Sequence, residues 1–290
     1  MARASVVPLA LGLLVLGNLL ASVSDVAVKL LEGGISPYQY IFIRQVLATL
    51  LVTPWLLRLP KGRRHLHSPG ITLIRAQLVL VGSGCMMVAV TYLPLATANA
   101  LFYAAPLLML PLSLWLLKER PPWTRVLATG IGFVGVLVVL RPQQFHWAAL
   151  FALGTATTLA LFHVLVRRLP QRQPVANTVF WTNLLCLPLA APLALLNWQP
   201  VSVAELGWVA LSAVCISGYN GLAVLAYRRA PSAQIALAEY SGLLFVTLFG
   251  VWWFAEVPDG LTLLGIGLIL LPMLPLRRLP LWQRLAPMRK

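Results

Sequence analysis

A chain of 290 residues that is 60% hydrophobic and only 10% charged has too little polar surface to cover a water-soluble core, so a soluble enzyme or binding domain is excluded. The net charge of +15 comes from 22 Lys and Arg against 7 Asp and Glu, but the basic residues fall between apolar runs, where they report membrane topology and not a nucleic-acid patch. Repeated near-uncharged runs of about 20 residues, without strand-spaced alternation, predict an all-α integral membrane protein and not a β-barrel.

In chain order, ten spans are predicted at about 7–31, 37–57, 71–92, 97–117, 123–140, 147–166, 176–196, 204–226, 232–254 and 260–276, each bounded by Pro, Gly or charge. The first resembles a signal peptide at its start, with Arg3 and an apolar core. It runs on to Leu31, however, and reads as a retained span. Cys85, Cys186 and Cys215 fall within spans, which argues against an external disulfide framework. Ten spans put both termini on one side. If that side is the cytoplasm, the inner segments collect Arg58, Lys61, Arg63, Arg64, Lys118, Arg120, Arg125, Arg167, Arg168, Arg172, Arg228, Arg229 and the basic tail, whereas the outer segments hold only Arg141. So one-sided a distribution predicts cytoplasmic termini. Lys29, Arg44 and Arg75 are left within spans or at their edges.

An offset of 137 positions places Tyr103 on Tyr240, Trp115 on Trp252, Glu119 on Glu256 and Gly130 on Gly267, all in the same sense along the fourth-to-fifth and ninth-to-tenth spans. Five spans per half is odd, so the second copy enters the membrane the other way up. That predicts ten transmembrane helices in two inverted five-helix repeats, over 1–141 and 142–277, followed by a basic cytoplasmic tail over 278–290. Carriers so built hold substrate near the midplane between the halves.

The helix end Leu117-Lys118-Glu119-Arg120, followed by Gly130 and Gly135, resembles the EamA repeat of the drug/metabolite transporter superfamily, and Ala255-Glu256 followed by Gly265 and Gly267 resembles it again. Upstream, Asp25-Val26-Ala27-Val28-Lys29, then Ser36-Pro37 and Arg44, is similar to the opening of many bacterial members. The resemblance covers essentially the whole chain. It implies a multi-pass carrier of the bacterial inner membrane working by alternating access, with a cavity lined by the first, third, fourth, sixth, eighth and ninth spans. Family members move amino acids and their derivatives, nucleoside-like metabolites, riboflavin, S-adenosylmethionine, amines or drugs, and the shared motifs do not select among these.

Glu239 lies about seven residues, or roughly 10 Å, inside the ninth span, where low dielectric penalises its charged form. It is a candidate proton carrier or counter-ion for a cationic substrate, against a structural role holding two helices together. Its counterpart in the first half is Phe102. Tyr240 and Tyr103 occupy mirror-related positions suited to stacking on a substrate, or to plain packing. Asp25 and Lys29 stand at i and i+4 and can neutralise one another, and Arg44 is placed at similar depth. The three are expected as an ion-pair or gating cluster, with receipt of a substrate carboxylate as the alternative. Among polar in-span residues, Asn18, Tyr219 and Asn220 are the substrate candidates, ahead of Ser22, Asn99, Thr158, Trp181 and Asn183, which suit helix-to-helix hydrogen bonding. Pro106, Pro111 and Pro188 are candidate bending points, Gly130, Gly132, Gly135, Gly265 and Gly267 allow close helix contact, and Glu119 and Glu256 suit caps or gates.

His65, His67, His146 and His163 are scattered, and no metal spacing or nucleotide-binding motif occurs, so no cofactor or metal is expected, nor an ATP-driven pump in one chain. No nucleophile and base stand on adjoining spans, which argues against an intramembrane enzyme. The expected function is export of a small amino-bearing metabolite, an amino acid or amine, with proton coupling through Glu239. The alternatives are import of a nucleoside-like or sulfonium metabolite of S-adenosylmethionine or riboflavin type, or an intramembrane enzyme or receptor. The expected partners are a small-molecule substrate and the bilayer, with no nucleic acid, in a monomer or homodimer.

Overall fold

Runs of Leu, Val and Ala in hydrocarbon have no water to bond their backbone, and helix satisfies every N–H and C=O within the segment. The computed structural model describes residues 6–117, 123–140, 145–166, 168–170, 173–229 and 241–271, and these contain helices and no strand. The helices are α1 (Val6–Lys29), α2 (Pro37–Leu57), α3 (Pro69–Tyr92), α4 (Leu95–Phe102), α5 (Ala105–Leu117), α6 (Trp123–Leu140), α7 (Ala148–Val166), α8 (Val175–Leu196), α9 (Val203–Arg229), α10 (Ser241–Phe254) and α11 (Gly260–Leu270). Among the described residues, six stretches are long and apolar enough to cross a membrane, and four more are shorter apolar helices within the spans expected over 123–140, 147–166, 232–254 and 260–276.

Starts are set by local chemistry. Pro37 and Pro69 occupy first-turn positions where a missing N–H costs nothing, Ser36 accepts the Gln39 N–H, and Asp259 accepts the Thr262 N–H at 3.1 Å. One expectation needs correcting. The single span over 97–117 is two helices, α4 and α5, interrupted at Tyr103 and Ala104. Pro106 has no N–H to give the Phe102 carbonyl, and its ring would meet that carbonyl in a continuous helix. Pro111 and Pro188 sit inside α5 and α8 without ending them.

The main packing partners lie in opposite halves of the chain: α1 runs along α9, α2 along α8, α3 along α7, α4 along α10, and α6 along α11. One buried cluster runs from Val26 through Ala156 to Ile269, so the halves share a core. Small residues permit the close crossings. A Cβ on Gly17 would lie 3.3 Å from the Tyr219 ring, one on Gly218 would lie 2.9 Å from Leu20, and one on Gly135 would lie 2.8 Å from the Gly265 carbonyl. Gly130 and Gly267 face open space instead, and Trp115 and Trp252 are 77% and 81% exposed, as suits the lipid side.

Candidate functional site between the two halves

Polar groups inside the bundle must find partners there, and those partners locate the site. On α1, the Asn18 amide donates to the Ser241 hydroxyl of α10 at 3.2 Å. One turn on, the Ser22 hydroxyl lies 2.8 Å from the Asn18 carbonyl and 3.2 Å from the Gly242 carbonyl. Both side chains are buried. The Tyr103 hydroxyl, carried at the α4–α5 interruption, packs on Gly242 so closely that an added Cβ would lie 2.5 Å from it. Asn18 and Tyr103 therefore meet where α1, α10 and the broken fourth span converge. Glu239 and Tyr240, immediately before Ser241 in the chain, lie outside the described residues.

This contact makes a test. Gly242→Ala should displace the Tyr103 ring and lower transport at least about tenfold, because small misplacements at a binding site are costly. Tyr103→Phe, which removes the clashing oxygen, should restore part of the loss. Equal transport by Gly242→Ala and the wild type in liposomes would rule out a role for this contact.

The other candidates separate. Tyr219 lies against Gly17 in the α1–α9 crossing. Asn220 and Asn183 line a cavity of about 20 Å³ with Arg44, Gln45 and Ser217, room for about one water. Thr158 packs on Gly82, and the Trp181 indole donates to the Arg64 carbonyl at 2.8 Å, fastening the basic loop to α8. Asn99 donates to the Leu95 carbonyl and is the hydrogen-bond partner of the half-buried Asp25. Glu119 lies outside the described residues.

The expected Asp25–Lys29–Arg44 cluster is not one contact set. Lys29 is the last residue of α1, and its long stem carries the ammonium to groups beyond that helix. Its ammonium lies 2.5 Å from Glu256 Oε1 and donates to the Leu93 carbonyl at 2.9 Å, 5.2 Å from the centre of the Phe254 ring. The second oxygen, Glu256 Oε2, accepts the Leu95 N–H at 2.8 Å, which caps α4. Ala255 makes this possible by turning into the left-handed region at φ 53°, so that the Glu256 N–H folds back to the Gly250 carbonyl at 2.9 Å. Arg44 instead donates to Ser83 of α3 at 2.5 Å and stacks 5.3 Å from the Tyr40 ring on its own helix.

Beside this clamp lies a cavity of about 590 Å³, bordered by Tyr92, Thr97, His146, Glu256, Asp259 and Thr262. Its size suits a small metabolite. Tyr92 and His146 both pack on Trp147, with ring centres 4.9 and 5.6 Å away. Sequence reasoning missed this cavity because its walls combine helix ends from both halves with the connections at Leu93 and Pro94, at His146 and over 255–259, which no local spacing links. The one signal for it was Glu256, already noted as a helix-end cap or gate.

Comparison with known proteins agrees with this architecture. The profile of the EamA-like transporter family matches residues 8–141 and again 146–274. An S-adenosylmethionine uptake transporter of Rickettsia prowazekii is 23% identical, over 86% of each chain. A pseudopaline exporter of Pseudomonas aeruginosa is 26% identical over 92% of this chain and 95% of that one, and a riboflavin transporter of Vibrio cholerae is 27% identical over 90% of each. A crystal structure superposes with a TM-score of 0.65 over 98% of this chain and 99% of the other, at 21% identity, a likeness of fold.

Proposed function

Because the chain belongs to the EamA-like transporter family, we propose that this multi-pass membrane protein is a secondary carrier exporting a small amino-bearing metabolite by alternating access. The observation that carries this reading is the convergence of both halves on the Asn18–Ser241 and Tyr103–Gly242 contacts, with the Lys29–Glu256 clamp joining the halves at one end. Asn18 and Tyr103 supply hydrogen-bonding groups for an amine or carboxylate, and the clamp holds that end shut while the other opens. With both termini cytoplasmic, as the basic residues argue, the Lys29 end faces outward.

The helix pairing supports two inverted five-span repeats, over 1–141 and 142–277. Exchanging each span with its same-rank partner turns the α1–α9 pair into α7–α3, and leaves α2–α8, α4–α10 and α6–α11 unchanged as pairs. The double match of one family profile supports the same division. Import of a sulfonium metabolite is the second reading, favoured by likeness to the Rickettsia uptake protein.

A comparison of metabolites in medium and cell extract, with the protein absent and overproduced, tests substrate and direction together. An unchanged profile overturns the carrier reading. Proton coupling is tested at Glu239, the acid that the sequence places within the ninth apolar run. Glu239→Gln should abolish the response to a pH gradient in liposomes, a loss of about tenfold or more if this acid is the carrier. A mutant still driven by the gradient excludes that role.

A further inference from the structure

Arg75 on α3 is a buried cation whose chemistry the site above does not use. It is 4% exposed, two of its three guanidinium nitrogens, Nε and Nη1, have no hydrogen-bond partner, and among the described residues no carboxylate lies within ion-pair distance. Its guanidinium carbon sits 4.0 Å from the centre of the Phe162 ring of α7. That ring is the main attraction offered to the charge. The helices α3 and α7 come from opposite halves of the chain, so this cation stands on the seam between them. It stands about six residues, roughly 9 Å, from the start of α3, in the part of the bundle near the Arg58–His67 loop and far from the Lys29 clamp.

An unpaired guanidinium inside a membrane protein is costly, because it loses water without gaining an anion. Partnerless polar atoms in a native interior call for a reason. We infer that Arg75 receives the carboxylate of the transported metabolite, which places the substrate class among amino acids and their derivatives and not among simple amines. The planar fork of Arg matches a carboxylate's two oxygens, and Phe162 holds the fork in orientation. The same geometry ties loading to motion. An empty α3–α7 seam closes over a bare cation, whereas a carboxylate accompanying it removes that penalty, so closure is favoured when substrate is present. Arg44 is the lesser candidate, since Ser83 and the Tyr40 ring already engage it.

This inference rests on the carrier reading, and the experiment separates the two. Cells overproducing full-length wild type, Arg75→Gln or Arg75→Lys are compared by metabolite content of medium and extract, and the compounds moved are then assayed for KM in liposomes. Wild type should move compounds bearing a carboxylate and discriminate against their methyl esters. Arg75→Gln should raise KM for the acids about tenfold or more and lose that discrimination, with unchanged membrane abundance and thermal midpoint. Arg75→Lys keeps the charge without the fork and should fall between. Should the glutamine variant fail to accumulate, Phe162→Leu carries the test, with an expected KM rise of about threefold. Wild-type KM and discrimination in these variants would overturn the inference, as would a wild type that moves only amines without an acid group. A wild type that moves nothing overturns the carrier reading and this inference with it.

Discussion

Glu256→Gln is expected to open the Lys29 end of the protein. The pair is neither deeply buried nor free in water, with the two side chains 12% and 21% exposed. Breaking buried pairs costs about 3–5 kcal/mol and exposed pairs less than about 1, so roughly 2 kcal/mol is expected here. Glu256 also caps α4 through Leu95, and because a glutamine keeps one acceptor oxygen where the carboxylate uses two, loss of the second contact adds about 1 kcal/mol. The sum, near 3 kcal/mol, shifts the closed-to-open ratio by roughly a hundredfold. Lys29→Gln removes the pair but leaves the cap, so its effect should be smaller by about the worth of that cap. The double variant should fall well short of the sum, since both single changes break one shared contact. A cysteine placed at Thr97, inside the 590 Å³ cavity, reports opening by its rate of reaction with a membrane-impermeant thiol reagent once Cys85, Cys186 and Cys215 are replaced. Equal rates in Lys29→Gln, Glu256→Gln and the wild type would remove the clamp from the mechanism. Transport should slow in both variants, because the far end opens productively only while this one is shut.

Helix positions were readable from the sequence because Pro and Gly punctuate the apolar runs. Pro37 opens α2 and Trp123 opens α6 where expected. The break at Tyr103 was not readable in the same way, since a proline inside an apolar run bends some helices and ends others: Pro188 leaves α8 continuous, and Pro106 does not leave the fourth span so. Asn18 and Tyr103 stood out as polar groups in hydrocarbon, and the structure brings them to one place. Their partners did not stand out, because Ser241 is 223 positions away and no periodicity links it to Asn18. Lys29 illustrates the same limit. Helical spacing points to Asp25, but a lysine at the last turn has a stem long enough to leave its helix, and it finds Glu256 in the other half. Local spacing thus identified which residues carry unusual chemistry, while the choice of partner belonged to the packing of the halves.

Gly135→Leu is expected to be the most disruptive of the glycine replacements, and the reason is the kind of atom that stands opposite. A Cβ at Gly135 would lie 2.8 Å from both the Gly265 carbonyl oxygen and the Ile269 amide nitrogen. Backbone cannot rotate away as a side chain can, so α6 and α11 must separate along their crossing. Overpacking of this kind costs about 1–3 kcal/mol for one added carbon, and a leucine forces a wider gap. Gly132 offers the contrast: an added Cβ would meet the flexible tip of Leu107 at 2.6 Å, which can swing aside at smaller cost. Gly130→Leu and Gly267→Leu extend into open space and should lie within about 0.5 kcal/mol of the wild type, or gain slightly in helix propensity. Thermal midpoints of the four variants in detergent would order as Gly135, then Gly132, then Gly130 and Gly267 together. The last pair is matched by the offset of 137 positions, so the proposed inverted repeat predicts equal behaviour at these two open sites. A Gly135→Leu protein as stable as Gly130→Leu would mean that α6 and α11 do not cross at this point, and the pairing of same-rank spans would lose its clearest contact.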